Sequence, residues 1–497
     1  MTAQLVPLVR LRWVMLRSDR SRRGARLLAV GLGALLCVAV VAGLAAPDGR
    51  FDVVLLAPSL FLGVAVVAVL APLVAGGGNE LFPEEQLVAF PVTARTVFAG
   101  SLALTPLNLA WLTQLVGLLA VTGYLAEPSP GLVAALVTCL AYVALVTVAG
   151  QTVGWLMVGV RQHRWGRIAA TATAAALSAA AVVVVLTDRV VAVLDAAPTT
   201  WVVIGLVNGA TGELGSWARV TGVLVAGTGI LLATGARVCE WSLRQPTRPR
   251  TVDQAVRRRA EPRSALGAQL AVDRASVWRS TSLRRGLLVL GVLPGIAAAA
   301  AALDWTTLVL LPGLVAAGAG LLFGVNAFAL AGPGALWAES LPGHPGVRFW
   351  SKAVVTAEVC VVAVVVTVLA GSLRATGAGP SAAEAVALAA CALVTVLRVV
   401  AVCLRLSVAR PHRADLRGPR DTPAPPGAMA VYSARLALST TLLALLFSAV
   451  AAADDWRLPA LLAVPFVLLS ARHLLGSARR WADPRVRSCV AHVVTAG

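Results

Sequence analysis

The chain has 497 residues, 58% of them hydrophobic and 13% charged, with a formal net charge of +19. Soluble domains carry about 25% charged residues, so this composition excludes a soluble globular protein, and long unbroken runs of Ala, Val and Leu exclude the short alternating strands of a membrane β-barrel. A bilayer core needs roughly 20 apolar residues per helical crossing, which leaves room for about 12 crossings and sets the expected class as all-α, a polytopic helical membrane protein.

The chain opens on LRWVMLRSDRSRRGARLL (Leu11 to Leu28). Arg and Ser interleave there with Trp, Val, Met and Leu at spacings that suit a helix lying flat in the membrane interface. Apolar runs follow near Leu27 to Ala46, Val53 to Ala75, Val97 to Leu125, Gly131 to Val160, Ile168 to Leu186 and Thr221 to Arg237. The first lacks a clean cleavage site and reads as a retained span. Between the second and third lies FPEEQLVAFPVTARTVF (Phe82 to Phe98), bounded by Pro83 and Pro91. It is too short and too charged to cross, yet Leu81, Leu87, Val88 and Val92 give it an apolar side. A short cytoplasmic helix there suits docking into a groove on a soluble partner, or holding the loop against the interface.

A polar linker from Cys239 to Gln269, with QPTRPR and RRRAEPR, separates this half from a second. The second half opens on ASVWRSTSLRRGLLVL (Ala275 to Leu290), which again places a Trp ahead of an Arg-Ser pair, two adjacent Arg and a Gly. Its apolar runs lie near Gly286 to Leu303, Leu308 to Ala331, Ala353 to Leu373, Ala382 to Val408, Val431 to Ala453 and Leu458 to Ala471. After the second of these, NAFALAGPGALWAESLPGHPGVRFWSK (Asn326 to Lys352) repeats the pattern of Gly76 to Ser101: small residues and Asn, a Pro, an apolar stretch, a second Pro, then Arg. The expectation is two tandem six-span units, 1–237 and 271–497, joined by a linker over 238–270. An even number of spans per unit keeps both copies in one orientation, with the pseudo-twofold axis along the membrane normal.

The charge lies in loops. Of the 42 basic residues, Lys352 alone is not Arg. They gather in 1–26, 76–96, 161–167, 238–285, 332–352, 409–430 and 472–497, while the opposite loops hold Arg50, Arg189, Arg219, Arg374 and Arg457. The bias places both termini in the cytoplasm and gives no reason to expect nucleic acid as a partner. A phosphate-binding loop needs G-x-x-x-x-G-K-[ST], and the only Lys stands in Trp350-Ser351-Lys352-Ala353. Nucleotide hydrolysis by this chain is therefore excluded. The seven Cys form no C-x-x-C pair and the five His have no metal-ligand spacing, so no metal, cofactor or catalytic residue is expected. Glu358 and Arg398 fall within apolar runs, where ionisable residues are functional candidates by default. Each also has a plainer reading, pairing within the bundle or snorkelling to its edge.

The order of elements resembles that of ABC-2 type exporter permeases: a basic elbow helix, six spans, and a short coupling helix between the second and third. The nearest resemblance is to actinobacterial permeases that fuse two such units into one twelve-span chain. The stretches that carry it are FPVTARTVFAG, LPGHPGVRFWSKA, RLSVARP (Arg405 to Pro411) and the C-terminal WADPRVRSCVAHVVTAG. Thr187 to Arg219 resembles the extracellular re-entrant hairpin that such permeases place between their fifth and sixth spans, and the second unit has only Asp454, Asp455 and Trp456 at that place. The resemblance implies a permease in the bacterial cytoplasmic membrane, in contact with its lipids. It implies a separate ABC ATPase subunit bound in two copies, and export of a hydrophobic or amphipathic substrate, small or peptide-like, from the cytoplasm or inner leaflet. Glu84, Glu85, Pro91 and Arg95 in the first unit, and Glu339, Pro342 and Arg348 in the second, would then couple to the ATPase. Two alternatives stand beside it: a proton-coupled carrier titrating Glu358, and a membrane-embedded enzyme acting on lipid-linked substrates.

Overall fold

A computed structural model of the chain describes residues 50–75, 92–105, 109–126, 130–163, 165–245, 262, 264–332, 334–341, 343–377, 379–412, 424 and 426–495. The first elbow helix, the first apolar run and residues 82–91 of the first coupling segment lie outside the described residues. Among the described residues the structure is helical and contains no strand, only an isolated bridge between Asp304 and Thr376. Seven helices among the described residues are long and apolar enough to cross a membrane, and three shorter apolar helices accompany them. The chain is a polytopic helical membrane protein. It divides into two compact units, Met1–Thr251 and Val252–Gly497.

The first unit contains α1 (Arg50–Ala75), α2 (Ala94–Leu104), α3 (Leu109–Ala126), α4 (Leu132–Gln162), α5 (Gly166–Leu186), α6 (Val190–Asp195), α7 (Thr199–Thr211) and α8 (Leu214–Leu243). The run Val97 to Leu125 reads as one span, yet it divides into α2 and α3. Residues 106–108 between them lie outside the described residues. Helix α4 is the axis of the unit, packed against α8, α7, α1 and α3. Lipid is as apolar as Leu, so contact between spans depends on close van der Waals approach. Gly150 of α4 provides such an approach: a Cβ there would lie 2.5 Å from the Ala68 carbonyl oxygen of α1. The Tyr142 hydroxyl donates to the Phe61 carbonyl at 2.5 Å, fixing α4 to α1 at the core formed with Leu118 and Leu206.

Within Thr187 to Arg219 the chain forms α6 and α7 and reverses at Gly212, whose φ of 86° favours glycine. Helix α7 folds back onto α4 and α1, burying Val202, Val203 and Leu206. The Thr199 hydroxyl donates to Pro58 O at 2.9 Å and Trp217 Nε1 to Ala134 O at 2.9 Å. The second unit joins its last two long helices with residues 452–456 alone.

The second unit contains α9 (Ala265–Arg279), α10 (Thr281–Ala300), α11 (Trp305–Leu308), α12 (Leu311–Ala319), α13 (Gly334–Ser340), α14 (Pro345–Ser372), α15 (Ala382–Ala409), α16 (Pro426–Ala451), α17 (Arg457–Trp481) and α18 (Pro484–Thr495). The expected span Leu308 to Ala331 is a broken helix, in which α12 passes into a π-helical turn at Gly320–Gly324 and then a 3-10 turn at Ala329–Ala331. Backbone groups freed at membrane depth must find partners inside the protein. Ser407 of α15 supplies two, donating to Gly324 O at 3.0 Å and accepting from Ala327 N at 3.0 Å. Helices α14 and α15 form the centre of this unit, the first against α10, α12 and α9, the second against α17, α16 and α12. Outside these cores, Leu177, Val183 and Val223 in the first unit and Leu438, Leu461 and Leu468 in the second are exposed, as a surface that meets acyl chains requires.

Candidate functional site: a charged corner of the second unit

The site is built where α9, α13, α14, α17 and α18 meet at the Arg-rich end of the second unit. Helix α14 starts at Pro345, which is tolerated in a first turn, and its N-cap is His344, whose Nδ1 accepts from Gly346 N at 3.2 Å. Its opening turns carry Arg348, Ser351, Lys352 and Glu358 in that order. Two of these meet α9. Lys352 Nζ lies 2.9 Å from Asp273 Oδ1, and the Ser351 hydroxyl donates to Asp273 Oδ2 at 2.6 Å. Gln269, one turn earlier on α9, donates to Asp273 Oδ1 at 3.2 Å. The pair is deeply buried, Lys352 at 7% and Asp273 at 4% exposure. Both carboxylate oxygens are hydrogen-bonded, the condition under which a buried charge is tolerable. A cavity of about 10 Å³ beside the pair, lined by Val277, Ala327 and Thr356 among others, has room for one water.

Glu358, one of the two intramembrane candidates, pairs with Arg274, the residue after Asp273. Arg274 Nε donates to Glu358 Oε2 at 2.8 Å and its Nη2 reaches Oε1, a bidentate fork. The carboxylate pushes the Arg274 pKa up from its ordinary value, chiefly through these hydrogen bonds. Both side chains remain partly in contact with solvent or headgroups, at 50% and 39% exposure, so their mutual attraction is weak. Exchange of Glu358 for Gln is expected to shift the melting of the purified chain by no more than about 4 °C and to leave recovery of any bound partner within about twofold of the parent. Complete loss of transport in the Gln variant, with folding intact and no ATPase present, would instead favour proton coupling.

The second cluster centres on Glu339 of α13. Its Oε2 accepts from Arg348 Nη1 at 2.8 Å and its Oε1 from Arg487 Nε at 2.8 Å. Arg487, on α18, also donates through Nη1 to the carbonyls of Ala482 at 2.7 Å and Trp481 at 3.4 Å, satisfying acceptors left over at the end of α17. Trp481 stacks on Phe328 with centroids 4.2 Å apart and donates from Nε1 to Pro345 O at 2.9 Å. Short helix α13 is thereby tied to the start of one span, α14, and to the end of another, α17. Beyond these ties, Trp337 is 73% exposed, and its neighbours in sequence Leu336 and Leu341 are exposed as well.

The sequence-derived candidates therefore separate. Glu339 and Arg348 form one cluster with Arg487, and Glu358 belongs to another with Arg274. Arg398 stands apart on α15, its Nη1 3.2 Å from His473 Nδ1 of α17. In the first unit Arg95 is exposed in the first turn of α2, behind a Thr93 N-cap whose hydroxyl accepts from Thr96 N at 3.3 Å. Glu84, Glu85, Pro91 and Pro342 lie outside the described residues. Sequence reading missed Asp273, Arg274 and Arg487. A signal for the first existed: Lys352 is the only Lys among 42 basic residues, and a compact ammonium suits a buried one-carboxylate site better than a guanidinium fork. Among the described residues no group of His, Cys, Asp and Glu is arranged to hold a metal ion. No family model, curated protein or solved structure matches the chain.

Proposed function

We propose that the chain is the membrane subunit of an ATP-driven exporter, with twelve spans in two six-span halves and both termini in the cytoplasm. ATP would be hydrolysed on a separate ABC-type subunit bound in two copies at the Arg-rich face. The observation that supports this most is the mounting of α13. A loop helix that only rested on the interface would need no anchor, whereas α13 is held by Glu339 to the span α14 directly and to the end of α17 through Arg487 of α18, while its Trp337 faces outward. An exposed aromatic flanked by leucines on a rigid mount is the composition of an interface hot spot. A partner that displaces α13 moves the ends of α14 and α17 with it. Such movement would tilt the bundle and carry a small amphipathic substrate from the cytoplasm or inner leaflet outward.

The test is recovery of a partner. The tagged chain, purified from its host in mild detergent, is expected to bring an ATP-binding protein at near two copies per chain. Trp337→Ala, which removes only exposed surface, is expected to reduce that recovery about tenfold, in line with a hot-spot truncation of 1–2 kcal/mol. Recovery unchanged by Trp337→Ala would place the contact elsewhere. The absence of any ATPase in several detergents, with the chain folded, would remove the exporter reading.

A further inference from the structure

We propose that the second unit holds an anionic phospholipid in the groove between α15, α16 and α17, its phosphate at Arg398 and an acyl chain along the leucines beyond. The inference requires only that these helices lie in a bilayer; it goes beyond the exporter reading and does not use it.

The groove is a cavity of about 240 Å³, lined by Ser439, Leu442 and Leu446 of α16, Phe466 and Leu469 of α17, and Arg398 of α15. Leu442, Leu446 and Leu469 are also exposed, so the groove opens sideways to the surface that meets lipid. It is small for a whole drug-sized ligand, whose sites run from about 300 Å³ upward, and suits part of an acyl chain whose remainder stays in the bilayer.

Its charge is polarised. Along α16, Arg435, Ser439, Leu442 and Leu446 follow at spacings of four, three and four residues, which puts them on one face with the cation at the Arg-rich end. On α15, Arg405 lies two turns from Arg398 toward the same end, close enough for their like charges to interact. On α17, Arg472 and Arg398 act in the same way on His473. Arginine cannot accept a hydrogen bond, so the 3.2 Å contact makes His473 Nδ1 the acceptor and leaves its Nε2 as a second donor. Among the described residues none of Arg398, Arg405, Arg435 and Arg472 is ion-paired with a carboxylate. Elsewhere in this unit interior and half-buried cations have partners: Lys352 has Asp273, and Arg348 and Arg487 share Glu339. A cationic mouth without acids above an apolar groove is complementary to a phosphate joined to a hydrocarbon chain. Basic pockets between spans on the cytoplasmic side recognise anionic headgroups in this manner.

The full chain in maltoside detergent, titrated with dioleoyl phosphatidylglycerol and separately with dioleoyl phosphatidylcholine, would be read by native mass spectrometry. One retained phosphatidylglycerol is expected, preferred over phosphatidylcholine by about tenfold or more, as for a charge-assisted contact to a phosphate. Arg398→Gln should abolish the preference and Arg398→Lys should keep part of it. Leu446→Trp, which fills the groove and keeps every cation, should lower retention of the lipid, and it decides the question if Arg398→Gln fails to fold. Equal retention of the two lipids by the parent chain would overturn the proposal. So would displacement of the lipid by millimolar inorganic phosphate or equal uptake of oleate, which would assign the site to a free anion or a carboxylate amphiphile.

Discussion

Exchange of Lys352 for Met is expected to destabilise the second unit by about 3–5 kcal/mol, the cost of leaving one member of a buried ion pair without its partner. The Asp273 carboxylate would keep the Ser351 hydroxyl and the Gln269 amide. It would lose the Lys352 counter-ion while remaining at 4% exposure. The charge is what costs, so removing it should restore stability: Asp273→Asn combined with Lys352→Met is expected to recover most of the loss, because neutral isosteres of a buried pair are often tolerated. The measurement is thermal unfolding of the four members of this cycle in one detergent. A unit of this size shifts by roughly 2–4 °C per kcal/mol, so the single variant should melt about 10 °C lower. A single variant that melts with the parent would mean that water reaches the pair, and the tight joint between α9 and α14 would not exist.

Much of the fold was legible because its signals are long. Runs such as Ala382 to Val408 and Gly131 to Val160 exceed a bilayer thickness, and they match α15 and α4 to within two residues at each end. The run Leu308 to Ala331 shows where that reasoning stops. Hydropathy sees an unbroken apolar segment, but Gly313, Gly318, Gly320 and Gly324 weaken the helix, and close contacts with side chains of α15 and the backbone of α16 complete the break. At Gly313 a Cβ would lie 2.7 Å from Thr440 O, and at Gly324 2.7 Å from Cys403 Sγ. No local pattern reports a neighbour more than 70 residues away. The charged corner follows the same rule. Glu339 and Arg348 are legible as charges within the proline-punctuated stretch Pro333 to Trp350, and position alone makes them candidates for coupling. The structure places both half-buried in a shared ion pair, because Arg487, distant in sequence, arrives on α18. The exposed feature of α13 is Trp337, whose exposure no local pattern in the sequence reports.

Reversing charge at Glu339 should have the largest functional effect of any single change in the second unit. Glu339→Arg would bring three guanidinium groups together where one carboxylate now joins two, at side-chain exposures of 15–24%. Like charges held this close in a poorly solvated corner repel, and α13 is expected to detach from α14 and α18. The spans need not unfold, since Trp481 still stacks on Phe328 and bonds Pro345 O. In a complex reconstituted with the ATPase proposed above, stimulation of ATP hydrolysis by the chain should fall by ten- to a hundredfold, the range of a 1.4–2.7 kcal/mol loss of coupling. Melting of the membrane domain should change far less than in Lys352→Met. Combining Glu339→Arg with Arg348→Glu returns one acid between two cations and leaves Arg487 on the carbonyls of Ala482 and Trp481, so coupling should recover substantially. That rescue separates the two readings of α13. A helix that merely seals the loop would show loss and recovery of stability, if anything at all, with ATP hydrolysis unmoved; a helix that transmits force would show the loss and recovery in hydrolysis itself.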